Sequence, residues 1–207
     1  MLRLVTGGSG SGKSAFAESL TAASEIRERY YIATMIPWDE ECRARIRRHR
    51  AMRAGKGFAT LEQPLDLDQI QLPAGCAVLL ECLSNLTANE YFREDRREPD
   101  PVCWGRATEE RILAGICRLA ECAAEVTVVT DDVFSGGLSY GGETEEYMKV
   151  LGNVNRRLAE LAGEVTEVVF GIPVCLKKES AERLKKENAE RAVSRGEGEQ
   201  RCAGSEA

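Results

Sequence analysis

Residues 2–20 read LRLVTGGSGSGKSAFAESL, and the eight residues from Gly7 to Ser14, GGSGSGKS, decide the fold. They satisfy G-x-x-x-x-G-K-[ST], with Gly7, Gly12, Lys13 and Ser14 at the fixed positions. The flanks agree, since Leu2, Leu4 and Val5 form a short apolar run before the loop and AFAESL continues as a helix after it. In such a loop Gly7, Gly8, Ser9, Gly10, Ser11 and Gly12 turn backbone N–H groups toward phosphate oxygens without side-chain obstruction. Lys13 reaches the terminal phosphates as a point charge, Ser14 ligates Mg²⁺, and the helix contributes its positive dipole end. A chance Gly/Ser-rich turn is the weaker alternative, because strand and helix are both in place. The loop predicts bound nucleotide phosphates. Kinases, ATPases, GTPases and nucleotidyl transferases all share it, so it does not select the reaction.

Outward from the loop, short apolar runs alternate with longer amphipathic stretches. Strands are expected over 2–6, 30–34, 77–82, 126–130, 165–170 and 174–177, and helices over 12–23, 38–53, 83–92, 106–123 and 143–162. This alternation predicts an α/β fold, a mainly parallel sheet flanked by helices. Only Gly171-Ile172-Pro173 separates the last two strands, which is too short for a crossover, so an antiparallel edge is expected near the C-terminus. Residues 1–177 read as one P-loop domain. Residues 178–207 are almost free of large apolar side chains and read as a charged tail, partly helical or disordered. FREDRREPDPVCWG, residues 92–105, reads as a polar loop before a helix.

The chain has 207 residues, 43% of them hydrophobic, enough for one sizeable core. A net charge of −6 argues against a general nucleic-acid binder, although Arg43, Arg45, Arg47, Arg48, Arg50, Arg53 and Lys56 crowd one segment. The eight cysteines contain no C-x-x-C pair and no secretory leader is evident, so reduced thiols in a cytoplasmic protein are expected rather than a zinc site or a disulfide framework. No apolar run reaches the roughly 18 residues of a membrane span.

A phosphate loop of this kind works with a carboxylate at the end of a neighbouring buried strand. Glu81, after the very apolar CAVLL, and Asp131-Asp132, after VTVVT, both qualify, and Glu81 is the preferred metal-side acid. The one histidine, His49, lies in DEECRARIRRHRAMR; on a helix it shares a face with Arg45 and Arg53. An imidazole among arginines that hold a triphosphate is suited to attack the α-phosphorus and expel pyrophosphate. A basic solvated helix carrying an incidental histidine explains the same residues, and helix chemistry by itself favours it.

The segments GGSGSGKSAFAE, YIATM, DEECRARIRRHRAMR, GFATLEQPLDL, LLECLSNLTAN and GNVNRRLAELAGEVTEVVFGIP occur in this order. Together they resemble the adenosylcobinamide kinase/adenosylcobinamide-phosphate guanylyltransferase family of cobalamin biosynthesis, across most of residues 1–177. R-I-x-x-H followed by T-x-E-x-P-x-D-L is far more specific than the phosphate loop. The resemblance implies a RecA-like P-loop fold, a homotrimer and a bifunctional transferase. Such an enzyme phosphorylates the corrinoid adenosylcobinamide with GTP or ATP and Mg²⁺, then transfers GMP from GTP through a guanylylated histidine. The resemblance assigns that histidine to His49, and nucleotide contacts to the loop residues, Thr34, Arg50, Arg53, Glu62 and Glu81, with Ser14 and Glu81 at the metal. Either Glu81 or Asp132 is expected to orient the attacking hydroxyl. The chain departs from the family pattern at Asp131-Asp132-Val133-Phe134 and in ETEEYMKVL, where Glu145 and Met148 stand in place of basic residues. Such replacements weaken binding of a phosphorylated substrate electrostatically. A small-molecule kinase without a histidine adduct and a nucleotide-binding regulatory relative are the competing readings.

Overall fold

The computed structural model describes residues 1–95, 97–134 and 141–179. Their sheet has seven strands, β1 (Leu2–Thr6), β2 (Arg29–Ala33), β3 (Phe58–Glu62), β4 (Ala77–Glu81), β5 (Glu125–Val129), β6 (Glu164–Val169) and β7 (Ile172–Lys178). Their order is β3-β2-β4-β5-β1-β6-β7. All neighbours run parallel except β6 and β7, so the α/β sheet with one antiparallel edge is as expected. The helices are α1 (Lys13–Ala22), α2 (Glu40–Arg53), α3 (Leu83–Tyr91), α4 (Pro101–Cys122) and α5 (Glu143–Leu161).

Both faces of the central strands are covered. Val78 and Leu80 of β4, with Leu4, Val126 and Val128, pack into the larger core beneath α3, α4 and α5. The alternate side chains Leu79, Val5 and Val129 pack with Ala17 of α1 and Tyr31 of β2 on the opposite face. This explains why β4 reads as continuous AVLLE rather than as an alternating strand: every residue in it is buried. Fully burying each such leucine contributes about 1.5–3 kcal/mol.

Several expectations change. α4 begins at Pro101, not at residue 106, because Asp100 caps it by accepting from the Val102 N–H at 3.2 Å and proline suits the first helical position. Trp104, expected in a loop, is 2% exposed and donates from Nε1 to the Tyr91 carbonyl at 2.8 Å. Strand β3 was unanticipated; it is an outer strand, paired only to β2 and buried at none of its residues. Finally, β7 runs to Lys178, one residue past the expected domain boundary. The tail expected beyond it lies outside the described residues from 180 onward.

Candidate active site

The phosphate loop joins β1 to α1. Gly7, at φ 155°, has no room for a side chain, since a Cβ there would lie 2.6 Å from the Val168 carbonyl oxygen. Gly12, at φ 92°, abuts the Gly171 Cα, 3.3 Å from where its own Cβ would be. The loop is held from two sides: the Gly171 N–H donates to the Ser11 carbonyl at 2.8 Å, and the Asp132 N–H donates to the Gly7 carbonyl at 3.1 Å. Gly7, Gly8 and Ser11 therefore shape the loop, while Ser9, Gly10, Gly12, Lys13 and Ser14 line the adjoining cavity.

Lys13 is buried; its Nζ donates to the Gly8 carbonyl at 3.1 Å and pairs with Asp131 Oδ1 at 2.5 Å. Ser84 Oγ donates to Asp131 Oδ2 at 2.6 Å. Burial raises the Asp131 carboxyl, but the hydrogen bonds from Lys13 and Ser84 outweigh it and hold the group below the ordinary value. The acid brought to the lysine is thus Asp131 rather than the expected Asp132, whose Oδ1 accepts from the Phe134 N–H at 3.0 Å. Successive residues leaving β5 diverge, and only one of the two can face the loop.

Glu81 ends β4, level with Ala33 of β2 and Val129 of β5. Its Oε1 accepts a short hydrogen bond from Ser14 Oγ, and its Oε2 is buried without a hydrogen-bond partner. An oxygen left in that condition beside the loop serine fits the expected Ser14–Glu81 metal position. Thr34 does something other than expected. It is fully buried, its Oγ1 donates to the Cys82 carbonyl and accepts from the Cys82 N–H, both at 2.8 Å, and it does not line the cavity. It braces the chain just after Glu81 instead.

Helix α2 hangs over this end of the loop. Asp39 caps it, accepting from the Cys42 N–H at 2.7 Å, with Glu40 and Glu41 in the first turn and Arg50 and Arg53 in the last. The side chains of Arg43, Arg45 and Arg47 are exposed and pair with Glu40 or Glu41. The inward face is formed at helical spacing by His49, Arg53 and, just beyond the helix, Lys56. His49 Nδ1 lies 3.4 Å from Glu81 Oε1. The Arg53 guanidinium covers the Tyr31 ring, 3.5 Å from its centroid. Lys56 Nζ reaches Glu18 Oε2 of α1 at 2.6 Å. Arg50 pairs with the exposed Glu62 at the cavity rim. Burial, and then the Glu81 charge, push the Tyr31 phenol far above its ordinary value, so it remains protonated.

The residues expected from sequence thus converge, Thr34 excepted, although Arg53 reaches the cavity as a cap on Tyr31. Sequence reasoning missed Glu18, Tyr31, Lys56 and Ser84. Glu18 carried one signal, its position four residues after Ser14 on the same face of α1. Glu145, an acid where the family pattern has a basic residue, pairs with Lys149 at 3.1 Å and lies outside the cavity lining.

A glycine cradle with its lysine, serine and strand-end acid, set in a parallel sheet, defines a nucleotide-using enzyme of the P-loop class. The profile of the family described as "Cobinamide kinase / cobinamide phosphate guanyltransferase" matches residues 3–176, and the chain belongs to that family. The bifunctional adenosylcobalamin biosynthesis protein CobU of Salmonella typhimurium is 36% identical over 187 residues, covering 86% of this chain and all of that one. CobU of Escherichia coli is 36% identical over 185 residues with the same coverage, and CobP of Pseudomonas aeruginosa is 32% identical over 182 residues, covering 86% and 99%. Among solved structures, a prototypical ATPase from the type III secretion system of pathogenic bacteria (9% identity, TM-score 0.45, covering 89% of this chain and 60% of that one) is a distant likeness. The flagellar accessory protein FlaH of Methanocaldococcus jannaschii (11% identity, TM-score 0.44, covering 86% and 78%) is similarly distant. No helix among the described residues is long and apolar enough to cross a membrane.

Proposed function

We propose that this chain performs both half-reactions in one cavity, phosphorylating adenosylcobinamide and then guanylylating the product, with His49 as the covalent nucleophile. The observation that supports it is the 3.4 Å approach of His49 Nδ1 to Glu81 Oε1, the oxygen that also engages the loop serine. That puts the imidazole at the phosphate end of the cavity.

In the kinase step, loop amides and Lys13 hold the triphosphate of ATP or GTP. Incoming phosphate draws Lys13 away from Asp131, and the freed carboxylate takes the proton of the acceptor hydroxyl as its oxygen attacks the γ-phosphorus and the nucleoside diphosphate leaves. Positioning and electrostatics suffice here, and no protein adduct is needed. In the second step an imidazole nitrogen of His49 attacks the α-phosphorus of GTP, the bond to the bridging oxygen breaks, and pyrophosphate leaves. The corrinoid phosphate then attacks the same phosphorus, breaking the N–P bond and freeing His49. Ser14 and Glu81 would hold Mg²⁺, which when bound supplies charge neutralisation for the phosphates.

The same reading includes a homotrimer and a cytoplasmic location. Ile172, Val174 and Leu176 are exposed on the edge strand β7, as a subunit contact would need. The cysteines among the described residues are unpaired, as in a reducing compartment. Sedimentation at micromolar concentration tests the assembly.

Incubation with α-labelled GTP and Mg²⁺ tests the chemistry. Acid-labile, base-stable label is expected on the wild-type chain and not on His49→Ala. Absence of label from both, with phosphorylation of adenosylcobinamide retained by wild type and lost in Lys13→Ala, would leave a kinase that forms no histidine adduct.

A further inference from the structure

Glu18 of α1, His49 of α2 and Glu81 of β4 approach from three elements, with one donor atom of each within 4.8 Å of the other two. Glu18 is fully buried, yet only half of its carboxylate is used. Oε2 takes Lys56 Nζ at 2.6 Å, and Oε1 has no hydrogen-bond partner. Glu81 repeats the pattern, with Oε1 engaged by Ser14 and Oε2 buried and unpartnered. Buried carboxylate oxygens are normally satisfied by donors or by a cation. His49, on a side chain only 22% exposed, sets Nδ1 3.4 Å from Glu81 Oε1.

We infer that Glu18, His49 and Glu81 form a binding site for a first-row divalent transition cation, which shares Glu81 with the Mg²⁺ position of the nucleotide and adds Glu18 and His49. Two carboxylates and one imidazole match Mn²⁺, Fe²⁺, Co²⁺ or Zn²⁺, whereas Mg²⁺ favours all-oxygen octahedra and keeps its waters. Donors bound at about 2.0–2.2 Å to one tetrahedral cation lie about 3.4 Å apart, so the three donors, now within 4.8 Å of one another, draw in by up to about 1.4 Å when the site fills. The occupied site cross-links α2 to α1 and β4, beside the Glu18–Lys56 pair that already joins them. It consumes His49 Nδ1 and draws on Glu81, so a cation held here competes with Mg²⁺–nucleotide and holds the imidazole away from phosphorus. Binding at the site stands on geometry; only the second consequence rests on the histidine reading above.

Cobalt(II), titrated into the full-length, nucleotide-free protein, gives the direct readout. One equivalent is expected to bind with visible ligand-field bands and without near-ultraviolet thiolate charge transfer, which separates the site from the cysteines. His49→Ala is expected to weaken binding by more than about tenfold, the loss that even an outer partner of a metal ligand causes. Glu18→Gln is expected to do the same, with thermal melts reporting whether it folds. No stoichiometric binding, a thiolate band at one equivalent, or unchanged affinity in His49→Ala overturns the proposal. Zinc added to the Mg²⁺-dependent labelling reaction is expected to suppress the adduct in wild type. Labelling indifferent to zinc overturns the competition, whereas cobalt binding without any labelling overturns the histidine reading and leaves the cation site standing.

Discussion

Replacing Lys56 by methionine isolates the buried ion pair that fastens α2 to the body. Glu18 has no exposed side-chain surface and Lys56 retains 31%, so the lysine is the partner that can be removed while keeping its apolar stem. Losing one member of a fully buried pair costs about 3–5 kcal/mol, because a carboxylate is left uncompensated. Here Glu18 Oε1 already lacks a partner, so no second donor can take over. Water entering along the vacated lysine path softens the loss, and we expect roughly 2–3 kcal/mol, below that buried-pair range. For a chain of this length each kcal/mol moves the midpoint by about 2–4 °C, giving a fall of roughly 4–12 °C by circular dichroism. Combining Lys56→Met with Glu18→Met replaces the pair by apolar volume and should recover most of the loss, since such replacements are often neutral or stabilising. A single variant that loses less than about 1 kcal/mol, the value of an exposed pair, refutes the reasoning. So does a double variant less stable than the single.

Other outcomes follow from the same geometry. Asp131→Asn should slow phosphorylation of the corrinoid by about 10²-fold or more, the usual value of a positioned proton acceptor, while α-labelled GTP still modifies His49. Because the folded Asp131 carboxyl lies below its ordinary value, its stabilisation is complete above about pH 4 and is lost only as the pH falls through the lower folded value; urea titrations of wild type and Asp131→Asn should therefore diverge at pH 7 and converge under stronger acid. Burial pushes the Cys82 thiol up to about 12, so at pH 8 Ellman's reagent should modify the exposed Cys117 and Cys175 first and reach Cys82 only on unfolding, as peptide mapping would show. Gly7→Ala sets a Cβ against the Val168 carbonyl and should cost about 1–3 kcal/mol together with nucleotide affinity measured by calorimetry.

The frame of the fold was legible because its signals are local. A glycine pattern, a continuous apolar strand and alternating element lengths mark β1, β4 and the helices without any knowledge of their partners. Strand β3 was not legible, since it is an outer strand whose form comes from pairing with β2 rather than from its own pattern. The start of α4 is obscured in the sequence because the charged residues of 93–98 stand immediately before the Asp100-Pro101 cap. In the site, Lys13 and Ser14 stand out by the loop pattern, Glu81 by the apolar strand before it and His49 by the R-I-x-x-H segment that carries the resemblance, and all four line one cavity. Asp131 could not be separated from Asp132, nor Glu18 from any other helical acid, because both choices depend on which way a side chain turns after packing. Thr34, expected at the nucleotide, lies off the cavity lining for the same reason: a hydroxyl near a nucleotide loop and a hydroxyl spent on the Cys82 backbone read identically in a sequence.

The hairpin tip at Phe170–Gly171 bears on how this protein should be handled at the bench. Phe170 is 94% exposed, and turn residues of that kind are ordinarily the places where a fusion partner, an epitope or a permuted terminus is tolerated. Gly171, the next residue, donates its N–H to Ser11 and lies against Gly12, so this exposed turn is also a wall of the phosphate loop. An insertion there would propagate directly into the phosphate cradle, and fusions that keep the enzyme working should carry their additions elsewhere.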